Sequence, residues 1–222
     1  LPKLFEEIIS DLREWAILEV IIVNDGSRDR TATVIKELIE RYDEHRPGFH
    51  LKAIHMDENR GMGAALKLGY AASTRAWVTF LPGDGQIEPK MIAHLWTEAD
   101  SMTSLITTRY TNREYTLGRK VLSRGLRLIT ALIIWVDITS EGMYLIKGER
   151  LRALPLISDS FMLNLEIPIR ISELKLSIKV ADIEVRERQG GVSHATQWRR
   201  IINTFKDLIS LKYKLLRERW RS

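Results

Sequence analysis

Two aliphatic runs, each ending in a glycine turn with an acidic residue at its tip, limit most strongly how this chain can fold. The first is Val20-Ile21-Ile22-Val23-Asn24-Asp25-Gly26-Ser27. The second is Val78-Thr79-Phe80-Leu81-Pro82-Gly83-Asp84-Gly85-Gln86. A segment with helical periodicity follows each. Strand, polar turn and helix in that order form the unit of an open α/β sheet, which binds ligands outside the carboxyl ends of its strands. Two such tips on one sheet suit a nucleotide and a hard divalent cation.

The same alternation runs through the first half of the chain. An amphipathic helix is predicted over 3–15, with Leu4, Phe5, Ile8, Ile9 and Leu12 on one face, followed by a buried strand Leu18–Val23. Next come a helix Asp29–Tyr42, a strand His50–His55, a helix Asn59–Ala72, a strand Trp77–Leu81, a helix Pro89–Ala99 and a strand Ser104–Thr108. This is the pattern of a doubly wound parallel sheet. Beyond a polar loop, Arg109–Gly118, the spacing predicts a long helix Arg119–Trp135. Strands follow at Gly142–Ile146 and Ser177–Glu187, a helix near Asn164–Glu173, and a basic amphipathic helix from Gln197.

With 222 residues the chain is expected to form one large domain, or one domain with an appendage. It has no cysteine, which excludes disulfides and thiolate-bound metals and fits a cytoplasmic setting. No segment has the uncharged apolar length of a membrane span, and the charged opening segment is not that of a signal peptide. The net charge is only +5, but basic residues dominate from Arg186 onward. That suits an anionic membrane or a phosphorylated ligand. Nucleic acid fits less well, because aromatic residues do not interleave with the basic ones on a strand.

Each candidate motif has a plain structural alternative. Asn24-Asp25-Gly26-Ser27 either caps the next helix or offers a carboxylate to a base or ribose. Asp84 is either a turn residue or a ligand for a cation that neutralises a diphosphate. Gly61-Met62-Gly63 either lets a helix pack closely or turns its first amides toward an anion.

Taken in order, these residues resemble family 2 glycosyltransferases with the GT-A fold, nearest the polyprenyl-phosphate (dolichyl-phosphate mannose synthase-like) branch. The matching positions are Asn24-Asp25-Gly26-Ser27, then Asn59-Arg60-Gly61-Met62-Gly63-Ala64-Ala65-Leu66, then Pro82-Gly83-Asp84-Gly85-Gln86 with Pro89. They continue with Thr108-Arg109, Arg119 with Ser123, Asp137 to Gly142, Glu166, and Arg188 with Gly190 and Ser193. The resemblance implies a mixed, mainly parallel Rossmann-like sheet flanked by helices over 1–196. It also implies inverting transfer of a sugar from a GDP- or UDP-linked donor to a dolichyl or undecaprenyl phosphate.

In that reading Asn24, Asp25, Ser27, Arg60 and Gly61 meet the donor. Asp84, with Gln86 nearby, holds Mg2+ or Mn2+. Arg188 clamps the leaving diphosphate, with Ser193 on the same loop, and Arg109, Arg119 and Ser123 receive the acceptor phosphate. A phosphate acceptor is already ionised and needs no strong base. Glu166 is therefore expected to orient loops, and it or Glu141 would serve as a base only for a hydroxyl acceptor.

The chain departs from the family pattern in three places. The strand and base-holding turn that usually precede the first helix are not in this sequence. Pro82 replaces the first Asp of the usual metal motif. His194 stands where a Lys commonly follows the loop serine.

Residues 197–222 are expected to form a separate interfacial helix. Ile201, Ile202, Phe205, Leu208, Ile209, Leu215 and Leu216 lie on one side, Lys and Arg on the other, and Trp at both ends. This predicts a peripheral protein on the cytoplasmic membrane face. Two alternatives stand beside it: a family 2 transferase acting on a glycan or lipid hydroxyl, and an inactive membrane-surface binding module.

Overall fold

The computed structural model describes residues 1–42, 47–111, 143–186 and 197–219, with side chains in the last segment described over 206–217. The elements in chain order are α1 (Pro2–Asp11), β1 (Leu18–Asn24), α2 (Thr31–Tyr42), β2 (Phe49–His55), α3 (Met62–Ala72), β3 (Trp77–Thr79) and α4 (Lys90–Thr97). They continue with β4 (Leu105–Tyr110), β5 (Tyr144–Lys147), α5 (Gly148–Ala153), α6 (Leu163–Glu173), β6 (Ile178–Ile183) and α7 (Gln197–Arg219). The predicted helix Arg119–Trp135 lies outside the described residues, as do Arg119, Ser123, Glu141, Arg188, Ser193 and His194.

The β–α alternation gives the expected mixed sheet, in two hydrogen-bonded pieces. β1 and β2 pair in parallel; the second piece has the order β3-β5-β4-β6. β5 enters it antiparallel to both β3 and β4, whereas β4 and β6 are parallel. Among the described residues β2 is the only ladder partner of β1, and β5 the only one of β3. The continuous apolar run of β1 predicts burial on both faces. Instead Leu18 to Val23 are only partly buried.

α1 is laid across both pieces. Proline at its first position supplies a φ suited to a helix start. Phe5 packs with Leu38, Tyr42, Phe49 and Leu51 on the β1–β2 side. Two turns on, Leu12 joins Ile92, Leu95, Ile106 and Leu145 on the other side, with Ile8 and Trp15 packed against them. A third cluster, including Tyr144, Ile146, Leu151, Leu163 and Ile167, fills the space between the larger sheet and α6. α5 was not legible in the sequence: six residues are too few to show a helical period, and its placement rests on a tertiary bond from the Gly148 N–H to the Ala76 carbonyl, 2.7 Å.

The terminal helix packs one of its stripes on the rest of the chain. Leu208, Leu211 and Leu215 are buried against Met162 and Ile169. Ile209, Tyr213 and Leu216 are exposed on a second stripe at i, i+4 and i+7. Sequence periodicity merged these into one face because the two stripes adjoin; only the position of α6 separates them.

Candidate active site

The turn after β1 is built by its own residues. Gly26 has φ 65, and a Cβ there would lie 2.4 Å from the Glu58 backbone, so only glycine lets this turn approach the loop after β2. The Asn24 side chain, 6% exposed, is committed at both ends. Its Oδ1 accepts from the Ser27 N–H at 3.1 Å, and its Nδ2 donates to His55 Nδ1 at 3.2 Å. Asn24 therefore shapes the turn with its own side chain. Asp25 is partly exposed, and its Oδ1 accepts from the Arg60 N–H at 3.1 Å. The Ser27 and Arg60 side chains are exposed beside it.

Two of the first amides of α3 are already bonded within the fold. The Gly63 and Ala64 N–H groups both donate to the Asp159 carbonyl, at 2.9 and 3.3 Å, and the Gly61 N–H donates to Asn59 Oδ1. A Cβ on Gly63 would sit 2.6 Å from the Asp159 and Ser160 backbones. The Gly61-Met62-Gly63 motif thus serves close packing of the 158–160 loop, and Gly61 reaches any ligand only as part of a wall. The Asp159 carboxylate pairs with Lys67 at 2.6 Å, which holds its pKa below the ordinary Asp value.

Glu166 anchors that loop. Its side chain has no exposed surface, and three donors converge on its carboxylate. Oε1 takes the Ile157 N–H at 2.9 Å and Arg170 Nε at 2.8 Å, and Oε2 takes the Ser158 N–H at 2.9 Å. A carboxylate enclosed in this way positions a loop and has no access to a substrate hydroxyl, so it is not the base that a hydroxyl acceptor would need.

Asp84 is exposed at the tip of the loop after β3, and its Oδ1 accepts from the Gln86 N–H at 3.1 Å. Among the described residues no group of three or more His, Asp or Glu side chains gathers as a metal cluster. The Gln86 carbonyl accepts from the Arg186 N–H at 2.8 Å, and the Arg186 guanidinium binds Glu88 at 2.6 Å and Glu7 at 2.9 Å. The strand end leading to Arg188, two residues further on, is thereby fastened to the Asp84 loop. In the sequence Arg186 is marked only as the start of the basic end of the chain, inside a predicted strand, with no role at the site.

Arg109 is paired across the sheet. Its Nε and Nη2 donate to the two carboxylate oxygens of Asp182 at 2.7 and 2.9 Å, across the β4–β6 register. The pair keeps Asp182 below the ordinary carboxylate range. An acceptor phosphate would have to compete with Asp182 for this guanidinium.

Asp25, Arg60 and Asp84 follow the carboxyl ends of β1, β2 and β3, the binding edge of an α/β sheet. The fold is an α/β architecture with a mixed sheet. Residues 1–165 match Glycosyl transferase family 2, and the chain belongs to that family. It is 27% identical to an undecaprenyl-phosphate 4-deoxy-4-formamido-L-arabinose transferase of Enterobacter sp. strain 638, over 86% of this chain and 57% of that protein. It is 24% identical to a dolichyl-phosphate beta-glucosyltransferase of Dictyostelium discoideum, over 100% of this chain and 72% of that one. The chain thus spans less than two thirds of the bacterial relative.

Among solved structures, it resembles glucosyl-3-phosphoglycerate synthase from Mycobacterium tuberculosis in complex with UDP. The TM-score is 0.65 at 18% identity, covering 93% of this chain and 74% of that one. It also resembles a mannosyltransferase from Pyrobaculum calidifontis in complex with GDP-Man and Mn2+, with TM-score 0.62 at 18% identity, covering 89% and 56%. These likenesses define the GT-A fold.

Proposed function

We propose that the chain transfers a glycosyl group from a nucleoside-diphosphate sugar to a polyprenyl phosphate, with inversion. The observation that carries this reading is the fastening of Arg186 to Gln86, which joins the Asp84 loop to the segment bearing Arg188. A carboxylate and a guanidinium that approach one diphosphate would share its binding and its departure. The sequence relatives that act on undecaprenyl and dolichyl phosphates support the lipid-phosphate acceptor.

In this reaction an acceptor phosphate oxygen forms a bond to the anomeric carbon. The bond from that carbon to the diphosphate breaks, and the nucleoside diphosphate leaves with the electron pair. The acceptor is ionised at neutral pH, so no residue has to remove a proton, which agrees with the enclosure of Glu166. Asp25 and Arg60 orient the nucleoside. Arg188 meets the departing diphosphate as a charge-assisted donor.

One exposed carboxylate at the Asp84 turn fits Mg2+ or Mn2+, ions commonly held by one or two carboxylates plus substrate phosphates and water. Bound there by Asp84, the cation would neutralise charge on the diphosphate. The Mn2+ in the Pyrobaculum mannosyltransferase complex is consistent with this use. Transfer of labelled sugar from a panel of UDP- and GDP-sugars to a short-chain polyprenyl phosphate tests the proposal. Transfer only to water or to glycan hydroxyls would refute it.

Asp84→Asn is expected to remove cation-dependent donor affinity while changing stability by less than about 1 kcal/mol, since the side chain is exposed. Calorimetric titration of the donor with and without Mn2+ checks this. Equal affinities of variant and wild type in saturating Mn2+ would dismiss Asp84 as the ligand.

The membrane role now falls to the outer stripe of α7. Ile209, Tyr213 and Leu216 are exposed, and Lys206, Lys212 and Arg217 supply positive charge on the same helix. No helix among the described residues is long and apolar enough to cross a membrane. A helix lying in the interface of the cytoplasmic leaflet satisfies both facts. Replacing Ile209, Tyr213 and Leu216 together by serine is expected to abolish co-sedimentation with phosphatidylserine vesicles and leave the buried stripe intact. If the variant pellets as well as the wild type, the outer stripe does not contact lipid.

A further inference from the structure

We infer that α7 also supplies part of the sugar-recognition surface, through a polar pocket that it forms with the 158–160 loop and Arg60. This rests on the donor reading above and extends it to residues that the sequence assigned to a membrane element. The pocket holds about 260 Å3 and opens beside Arg60, whose N–H is already bonded to Asp25. It is therefore next to the turn that receives the nucleoside. The volume lies just below the usual range of about 300–1,000 Å3 for drug-sized ligands, so it suits one small ring.

The lining chemistry is that of a polyhydroxylated ring. Ser158, Ser160 and Ser210 bring hydroxyls, Asp207 an acceptor and Lys214 a donor, with Leu211 as the apolar residue of the wall. A sugar hydroxyl both donates and accepts, so it needs such a mixture. The wall carries both signs of charge, Arg60 and Lys214 beside Asp159 and Asp207. The Asp159 carboxylate is engaged by Lys67. Asp207 is partly buried and has no hydrogen-bond or ion-pair partner among the described residues, so its carboxylate is available to a ligand.

The helix holds these groups rigidly. Asp207, Ser210 and Lys214 each precede one of the buried leucines Leu208, Leu211 and Leu215. Packing of the leucine stripe against Met162 and Ile169 therefore fixes the polar stripe at the mouth of the loop. Lys214 Nζ also reaches the Ile157 carbonyl at 3.5 Å, which ties the helix to the segment that Glu166 anchors.

The test measures how much the sugar adds to binding. The intact protein is titrated with UDP, UDP-glucose, GDP and GDP-mannose in the presence of Mn2+, as wild type and as Asp207→Asn and Ser210→Ala. For whichever pair binds, Asp207→Asn is expected to weaken the sugar nucleotide about tenfold or more, the size of one hydrogen bond to a charged group. The bare nucleoside diphosphate should stay within about twofold, which also shows that the variant is folded. A smaller loss in the same direction is expected for Ser210→Ala. Unchanged affinities, or equal losses for nucleotide and sugar nucleotide, would overturn this inference and leave the donor reading standing. Failure of the wild type to bind any of the four would overturn both.

Discussion

Glu166→Ala should lower the unfolding free energy by about 3–5 kcal/mol, the cost of removing one partner from a buried, hydrogen-bonded ion pair. The Glu166 side chain is fully buried, and Arg170, its partner one helical turn along, is 9% exposed. Its loss leaves the Ile157 and Ser158 N–H groups and the Arg170 guanidinium without the acceptor that the carboxylate provided. Glutamine does not restore the site. Its amide nitrogen must face either Ser158 N–H or the Ile157 and Arg170 donors, so at least one donor meets another donor. Urea unfolding monitored by tryptophan fluorescence gives the measurement for both variants. A midpoint within error of wild type for Glu166→Ala would show that the loop at 157–160 is held by something else.

The second large effect is on turnover. Arg188→Ala is expected to reduce kcat about a hundredfold or more, by comparison with removing one preorganised donor from a developing charge. Donor affinity should change much less, because charge accumulates on the diphosphate mainly as the sugar departs. The structural motive is the bond from Arg186 to Gln86, together with the Glu7 and Glu88 clamp that holds the Arg186 side chain. These contacts start the Arg188 segment at the Asp84 loop. Steady-state rates at saturating donor and acceptor decide the matter. A kcat near wild type would remove Arg188 from the reaction.

Local patterns in the chain were read well where neighbouring residues alone decide them. The strands β1 and β2, the helices α2 and α3 and the turns at Gly26 and Asp84 appear where periodicity and turn chemistry put them, whereas β3 ends at Thr79, two residues before the predicted Leu81. β5 shows where this ends. Its strand character was visible, but its antiparallel insertion between β3 and β4 depends on pairings with residues 77–79 and 105–107, far away in sequence.

The candidate site divides in the same way. That Asp25, Arg60 and Asp84 each follow the carboxyl end of a strand was legible in the sequence alone, because each follows a strand of an α/β repeat. Which polar groups remain available to a ligand was decided only by the tertiary structure. Asn24 is engaged by His55, 31 positions away, and Arg109 by Asp182, 73 positions away. The first amides of α3 are taken by the Asp159 carbonyl. α7 follows the same rule: its sequence specified an amphipathic basic helix, but α6 selected which apolar stripe is core and which is exposed. A side chain's type is local, whereas its hydrogen-bond and packing partners come from wherever the fold brings the chain back.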